Sequence, residues 1–289
     1  MRTPHWIHAL GAMPLDRPIV MGILNVTPDS FSDGGRFFST DDALGRAESL
    51  VAEGADIVDV GGESTRPQGA RPVDTAEEAR RVLPVIAGIA RRFPETLVSV
   101  DTVKADVAER ALGDGAAIVN DVSAFRLDAR MPEVCARAGA GVVLMHSRGG
   151  VSDMATFEHA TYGDDVVGEV LGELLPRTEA AERAGVRREA IVLDPGIGFS
   201  KRSEHSLAML AELRRIVDVG FPVLVGVSRK RFLGELTGVR EPAERVHGTT
   251  GANVMALAFG ARIFRVHDVA AARHALDVAW AILQHEQNG

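Results

Sequence analysis

The chain carries one cysteine in 289 residues, Cys135. No intrachain disulfide can form, so a disulfide-stapled secreted scaffold is excluded. Cys135 falls within a predicted helix, where a buried structural thiol is its expected role. No apolar run is long enough to span a membrane. The N-terminal residues, with Arg2 and no long apolar stretch, do not read as a signal peptide, and a cytoplasmic protein is expected. No Pro/Gly/Ser-rich linker or low-complexity tract divides the chain, so one domain is expected over 19–289, preceded by an N-terminal extension over 1–18. Three catalytic signatures are also missing. Without a GxSxG elbow, an HExxH pair or a CxxC motif, a serine hydrolase, a zincin or a thiol redox enzyme has no support. Gly196-Ile197-Gly198 lacks the third glycine and the acidic follow-up of a dinucleotide fingerprint. The net charge of -8 argues against a broad nucleic-acid surface. It leaves room for a small anionic ligand, because a local cation cluster can dominate one cleft of an acidic protein.

What the chain does have is a repeated pattern. Eight short apolar runs each end in a polar cluster: IVMGILN at Asn25, ADIVDVGGESTRP through Arg66, TLVSVD at Asp101, AAIVND at Asn120 and Asp121, GVVLMH at His146, AIVLD at Asp194, PVLVGVSRK at Lys230 and ARIFRVHD at Arg265 to Asp268. Their β-branched content and length suit strands buried on both faces, as in a parallel sheet. Helical patterns fill the gaps. Thr40-Asp41-Asp42 caps a predicted helix that Gly54 stops, Asp74 to Arg92 places Ala79, Val82, Leu83 and Ile86 at helical spacing, and Asp164 to Ala184, Ser203 to Val217 and a final helix after Asp268 follow suit. The alternation predicts an α/β fold, a single closed (β/α)8 TIM barrel with long βα loops 1, 2 and 5. A doubly wound open sheet is the alternative. The length and a hydrophobic content of 46% suit one large core.

Barrel enzymes keep their chemistry at the carboxyl ends of the strands. The polar residues there are Asn25, Asp29, Asp59, Glu63, Thr65, Arg66, Asp101, Asn120, His146, Arg148, Asp194, Lys201, Ser228, Lys230, Arg265 and His267. Any one Asp or Asn just past a strand also suits a helix cap or a turn. Taken together they form two groups. Arg66, Lys230, Arg265 and His267 leave four strands and meet at one mouth if the barrel closes, which makes an anion site. Ser228-Arg229-Lys230 opens a helix directly after a strand, where free N–H groups favour a carboxylate or phosphate. Asp101, Asn120 and Asp194 offer paired donors and acceptors to a flat heterocycle, with Met145 and Phe199 as apolar faces for a ring. Strand one ends in Asn25 rather than a histidine pair, so a fixed protein-only metal cage is not expected. Asn25 can supply one oxygen to Mg²⁺, which keeps waters and takes substrate phosphates as further ligands.

The motifs MGILNVTPDSFSDGG (Met21 to Gly35), VDVGGESTRP (Val58 to Pro67), SVDT, IVND, LMH, LDPGIGFSK (Leu193 to Lys201), VGVSRK (Val225 to Lys230) and RVHDV, in this order, resemble the dihydropteroate synthase family, the folate-pathway enzymes that sulfonamides block. The resemblance runs from about residue 19 to the C-terminus. It implies a transferase that condenses 6-hydroxymethyl-7,8-dihydropterin diphosphate with p-aminobenzoate, giving 7,8-dihydropteroate and pyrophosphate. It implies Mg²⁺ as cofactor, a homodimer, and no nucleic-acid or membrane partner. By the same resemblance Asp101, Asn120, Asp194 and Lys230 hold the pterin, with Met145 and Gly226 lining its pocket. Asn25, Arg265 and His267 take the diphosphate and its Mg²⁺, and Thr65 and Arg66 close over the site. Thr65, Arg66, Pro67, Phe199, Ser228 and Lys230 frame p-aminobenzoate. Catalysis falls to Asp101, Asp194, Lys230, Arg265 and His267, through a dissociative, cation-like route.

Three features depart from the family pattern. Gln68 lengthens the STRP loop by one residue, Ser147 follows the LMH histidine where methionine is usual, and HGTTGANVMA from His247 is an unusual version of its segment. Two rival readings remain open at this stage. A pterin-binding methyltransferase barrel has no need of the Asp29 loop, the STRP loop or the RVH contact. A non-catalytic pterin-binding homologue would keep the pocket without Asn25, Arg265 and His267. All of these are present.

Overall fold

Runs rich in Val, Ile and Leu form the strands, and the segments with helical spacing form the helices between them. The computed structural model describes residues 5–27, 39–64 and 72–288. The chain opens with an antiparallel hairpin, β1 (His5–His8) and β2 (Gly11–Pro14), a feature that the alternating pattern did not announce. Eight parallel strands follow: β3 (Ile19–Asn25), β4 (Ile57–Gly61), β5 (Leu97–Asp101), β6 (Ile118–Asp121), β7 (Gly141–Met145), β8 (Ile191–Asp194), β9 (Leu224–Val225) and β10 (Ile263–Val266). Their spatial order is β8-β7-β6-β5-β4-β3-β10-β9, and a parallel bridge between Leu193 and Val223 joins the two ends. The sheet therefore closes as a (β/α)8 barrel, and the open doubly wound alternative is excluded.

The outer layer is α1 (Thr40–Ala52), α2 (Thr75–Arg92), α3 (Ala105–Gly113), α4 (Met131–Ala138), α5 (Val166–Arg183), α6 (Ser203–Ala211), α7 (Leu213–Val217), α8 (Arg231–Thr237), α9 (Val246–Ala258) and α10 (Val269–Asn288). Their ends follow local chemistry. Ser39, one residue before the predicted cap, accepts the Asp42 N–H at the start of α1, and Asp74 accepts the Glu77 N–H at the start of α2. The helix expected over Ser203 to Val217 divides at Glu212, whose φ of -104 and ψ of 20 leave the helical region. Among the described residues no helix is long and apolar enough to cross a membrane.

Successive strand residues point to opposite faces of the sheet, and burial divides them cleanly. Val20, Val58, Val98, Val119, Val142, Val225 and Phe264 face outward and pack with helix residues such as Leu50, Ile86 and Leu174. Ile19 and Met21 on β3, Ile57 on β4, Ile118 on β6, Val143 on β7, Val192 on β8, Leu224 on β9 and Ile263 on β10 face inward and form a separate cluster inside the barrel. Trp6 from the hairpin belongs to that inner cluster. It is fully buried, and its indole N–H donates to the Ala190 carbonyl at 2.8 Å. β7 begins with Gly141, where a Cβ would lie 3.1 Å from the Ile7 carbonyl oxygen and 3.2 Å from the Trp6 indole nitrogen, so the glycine makes room for the hairpin. The hairpin thus stoppers the amino end of the barrel and leaves the carboxyl end open for chemistry.

Removing that stopper leaves a large cavity lined by aliphatic side chains. Trp6→Ala should lower unfolding stability by about 3–5 kcal/mol. The check is the shift of the urea midpoint, and a loss under about 1 kcal/mol would show that the inner cluster holds without the indole.

Candidate active site

The inward parity that runs through Ile57, Val143 and Leu224 continues to the carboxyl end of each strand, where the side chains become polar. The same face presents Asn25 on β3, Asp59 on β4, Asp101 on β5, Asn120 on β6, Met145 on β7, Asp194 on β8 and Arg265 on β10, with Gly226 just beyond β9. Register sets their heights. Asn25 pairs with Gly61, Gly61 with Asp101, and Asp101 with Asn120, while Met145 pairs with Asp194.

Arg265 ties this ring together. Its Nε donates to Asp59 Oδ2 at 2.6 Å and its Nη2 to Asp101 Oδ2 at 2.7 Å, joining β10 to β4 and β5. Asn120 Nδ2 donates to the same Asp59 oxygen at 3.1 Å. Across the mouth, Asp194 Oδ1 accepts the Gly196 N–H at 2.8 Å, and a Cβ on Gly226 would lie 3.9 Å from Asp194 Oδ2 and 4.0 Å from Arg265 Cβ. Lys230 projects its ammonium over the Phe199 ring, 3.8 Å from the centroid. At Gly198, with φ +79, a Cβ would meet Lys230 Cδ at 3.0 Å, so backbone and lysine stem lie in contact. Met145 packs with Val103, Val122 and Met154, and Phe199 lies against that group. His267 closes the rim. Its Nδ1 lies 3.0 Å from the Ser228 hydroxyl, which accepts the His267 N–H at 3.1 Å.

The helix expected to open at Ser228-Arg229-Lys230 starts one residue later. Lys230 is the residue before α8, and Arg229, with φ +60, turns away to pair with Asp268. Thr65, Arg66 and Pro67 lie outside the described residues, as does the Asp29 segment. Sequence reasoning placed Asp59 among the strand-end polar residues without giving it a role, yet its fully buried carboxylate is the hub of the Arg265 and Asn120 contacts. The signal available was its position two residues before Gly61 and two after Ile57, on the inward face.

The family pattern described as pterin binding enzyme matches residues 21–267. The chain belongs to that family. Within the pterin binding enzymes it is 43% identical to dihydropteroate synthase of Escherichia coli over 96% of this chain and 96% of that one. It is 44% identical over 90% of its length to the mitochondrial folate synthesis bifunctional protein of Arabidopsis thaliana, of which it spans 48%. The dihydropteroate synthase of Xanthomonas albilineans, solved with 4-aminobenzoic acid, superposes with a TM-score of 0.89 at 44% identity, covering 98% of this chain and 99% of that one. A second structure of that protein, in complex with 7,8-dihydropteroate, superposes with a TM-score of 0.84 at 42% identity, over 94% of this chain and 96% of that one.

Burial tunes the charges of this pterin binding enzyme's mouth. The Asp101 carboxyl is pushed up to about 7 by loss of solvent, with the Arg265 guanidinium opposing and Asp59 reinforcing the shift. Burial also raises Asp194, against the Gly196 N–H that favours its ionised form. Lys230 is lowered to about 8, again by burial, with Asp194 opposing. Arg265 is raised because Asp59 and Asp101 together outweigh its own desolvation. One guanidinium thus serves two carboxylates, and the second negative charge is held at a cost.

The sign of that cost follows from linkage. The folded-state value of Asp101 lies above the unfolded value near 4, so its proton adds stability that is fully present below about pH 4 and is lost as pH rises through about 7. Asp101→Asn carries no such loss. The thermal midpoint of the variant relative to the parent should therefore be higher at pH 8 than at pH 5. A difference that does not change with pH would remove the strained charge.

Proposed function

We propose that this barrel joins 6-hydroxymethyl-7,8-dihydropterin diphosphate to p-aminobenzoate, yielding 7,8-dihydropteroate and pyrophosphate, by a dissociative route. The observation that carries the reading is the Arg265 bridge. It ties a residue of the expected diphosphate set to Asp101, expected to hold the pterin, across 164 positions of sequence, and to the buried Asp59 across 206. Family membership and likeness to the relatives named above support the same chemistry.

In this mechanism Asp101, Asn120, Asp194 and Lys230 hold the flat bicycle, with Met145 and Gly226 beside it. Unmet acceptor capacity supports such a guest, because Asp59 Oδ1 is buried without a hydrogen-bond partner. The C–O bond to the diphosphate breaks first, and the dihydropterin ring delocalises the positive charge left on carbon. Asp101 and Asp194 oppose that charge through space, while Arg265 and His267, with Thr65 and Arg66, stabilise negative charge on the leaving group. The amine of p-aminobenzoate then forms the C–N bond and loses its proton to solvent. Phe199 and Ser228 frame the ring with Lys230 beside it, and Thr65, Arg66 and Pro67 complete the set expected to bind it. No enzyme nucleophile is needed.

The residues present fit a substrate-borne Mg²⁺. The Asn25 side chain makes no hydrogen bond to any described residue and offers one neutral oxygen at the mouth, whereas Asp59 and Asp101 are committed to Arg265. That donor set suits a hard ion that keeps waters and takes diphosphate oxygens. When bound, Mg²⁺ supplies charge neutralisation to the departing pyrophosphate.

The same reading makes the protein a cytoplasmic homodimer. Its support is apolar surface on neighbouring helices, with Met255 on α9 and Val278 and Ile282 on α10 more than half exposed. Leu257 on α9 is core, while Val254 and Phe259 are half-buried.

Pyrophosphate release by the purified protein should require the pterin diphosphate, p-aminobenzoate and Mg²⁺ together. Release without the amine would make the protein a hydrolase instead. Asp101→Asn should lower kcat by roughly 100-fold or more while pterin affinity changes far less. Equal losses in rate and binding would contradict the cation-opposing role.

A further inference from the structure

Lys201 is among the largest fully buried side chains of the barrel, yet it ends in an amino group and touches none of the residues in the Arg265 network. Its ammonium has three protons and three acceptors. Nζ lies 2.8 Å from His146 Nδ1, 3.2 Å from the Gly196 carbonyl oxygen and 3.2 Å from the Phe199 carbonyl oxygen. The Glu173 carboxylate faces His146 Nε2, so the imidazole proton sits on Nε2 and Nδ1 accepts from Lys201. Nε2 donates to Glu173 Oε2 on α5 at 3.1 Å. Arg148 holds that glutamate from the other side, with Nε 2.9 Å from Oε1. Burial lowers His146 to about 4, which keeps the ring neutral, and lowers Lys201 to about 7, with Asp194 opposing.

The segment that Lys201 grips is a strained one. Gly196, Gly198 and Ser200 have φ values of +65, +79 and +47 within five residues. A Cβ on Gly196 would fall 1.9 Å from the His146 carbonyl oxygen, so the turn lies directly on the end of β7. The Ser200 hydroxyl adds a bond to the Arg148 carbonyl at 2.9 Å. Such a conformation persists only where its surroundings over-determine it. Phe199 rides at the crest of this turn, with its ring beneath the Lys230 ammonium.

We propose that Lys201 is the positioning residue for the arylamine subsite: by clamping the Gly196–Ser200 turn onto His146 it sets the plane of Phe199, and through it the affinity for p-aminobenzoate. This rests on the reading above that Phe199 frames the amine substrate. The clamp touches neither substrate, and its effect falls on one of them.

The test is steady-state kinetics and amide hydrogen exchange on the full chain. Lys201→Met keeps the stem and removes the three donors. Loss of bonds of this kind should raise KM for p-aminobenzoate by about ten-fold to a hundred-fold, with kcat and KM for the pterin diphosphate changing by less than about three-fold. Exchange at Phe199 and Ser200 should quicken while the barrel strands stay protected. His146→Leu, which deletes the acceptor, should give the same selective KM rise, and His146→Asn, whose amide oxygen can take the place of Nδ1, should recover most of it. An unchanged KM for p-aminobenzoate, or an equal rise for both substrates, would overturn the proposal. If Lys201→Met does not fold, the His146 pair decides, and equal behaviour of Leu and Asn counts against the clamp. If the parent protein shows no synthase activity, the functional reading fails on its own. The exchange data then still decide the clamp, and unaltered protection at Phe199 would refute it.

Discussion

One arginine between two buried carboxylates determines the character of the barrel mouth. Asp59 and Asp101 project inward from adjacent strands into a space with little water, and Arg265 bridges both carboxylates. Burial raises the Asp101 carboxyl, with Arg265 opposing the shift and the neighbouring Asp59 adding to it. The surrounding scaffold supports this with apolar packing at the opposite end, where Trp6 and the inward aliphatic layer carry no charge at all. Stability and chemistry are thereby assigned to different poles of one cylinder.

Much of this was legible in the residue pattern. Strands buried on both faces show as continuous apolar runs, and their polar ends mark the face where Asn25, Asp101, Asn120, Asp194 and Arg265 gather. Other parts were hidden for physical reasons. Asp59 lies inside the run Ile57–Gly61, so it reads as an interruption unless the period of two is followed through it. Glu173 sits on a helix, and its link to His146 depends on how α5 seats against β7, which no local pattern encodes. The amino-terminal hairpin escaped the alternation because an antiparallel pair of four-residue strands has none of the repeat's features. Lys201 was visible as a strand-end cation, but its full burial was not, and burial is what turns a solvated lysine into a clamp.

The two lysines of the site show how position decides role. Lys230 and Lys201 both lose basicity through burial, and both lie near Asp194. Lys230 meets an aromatic face and the open mouth, so its charge is available to a guest. Lys201 is saturated by one imidazole and two carbonyl groups, so its charge is spent on the protein itself.

The barrel is not equally strong around its circumference. β9 contributes only Leu224 and Val225 to the ladder, and a lone bridge from Val223 to Leu193 links it to β8. Every other seam is stitched by longer register. Transient opening of the cylinder would begin along this line, between the stave ending in Asp194 and the one leading to Gly226 and Lys230. The wall beside Asp194 is then the part of the cylinder most able to breathe, while the opposite wall stays rigid.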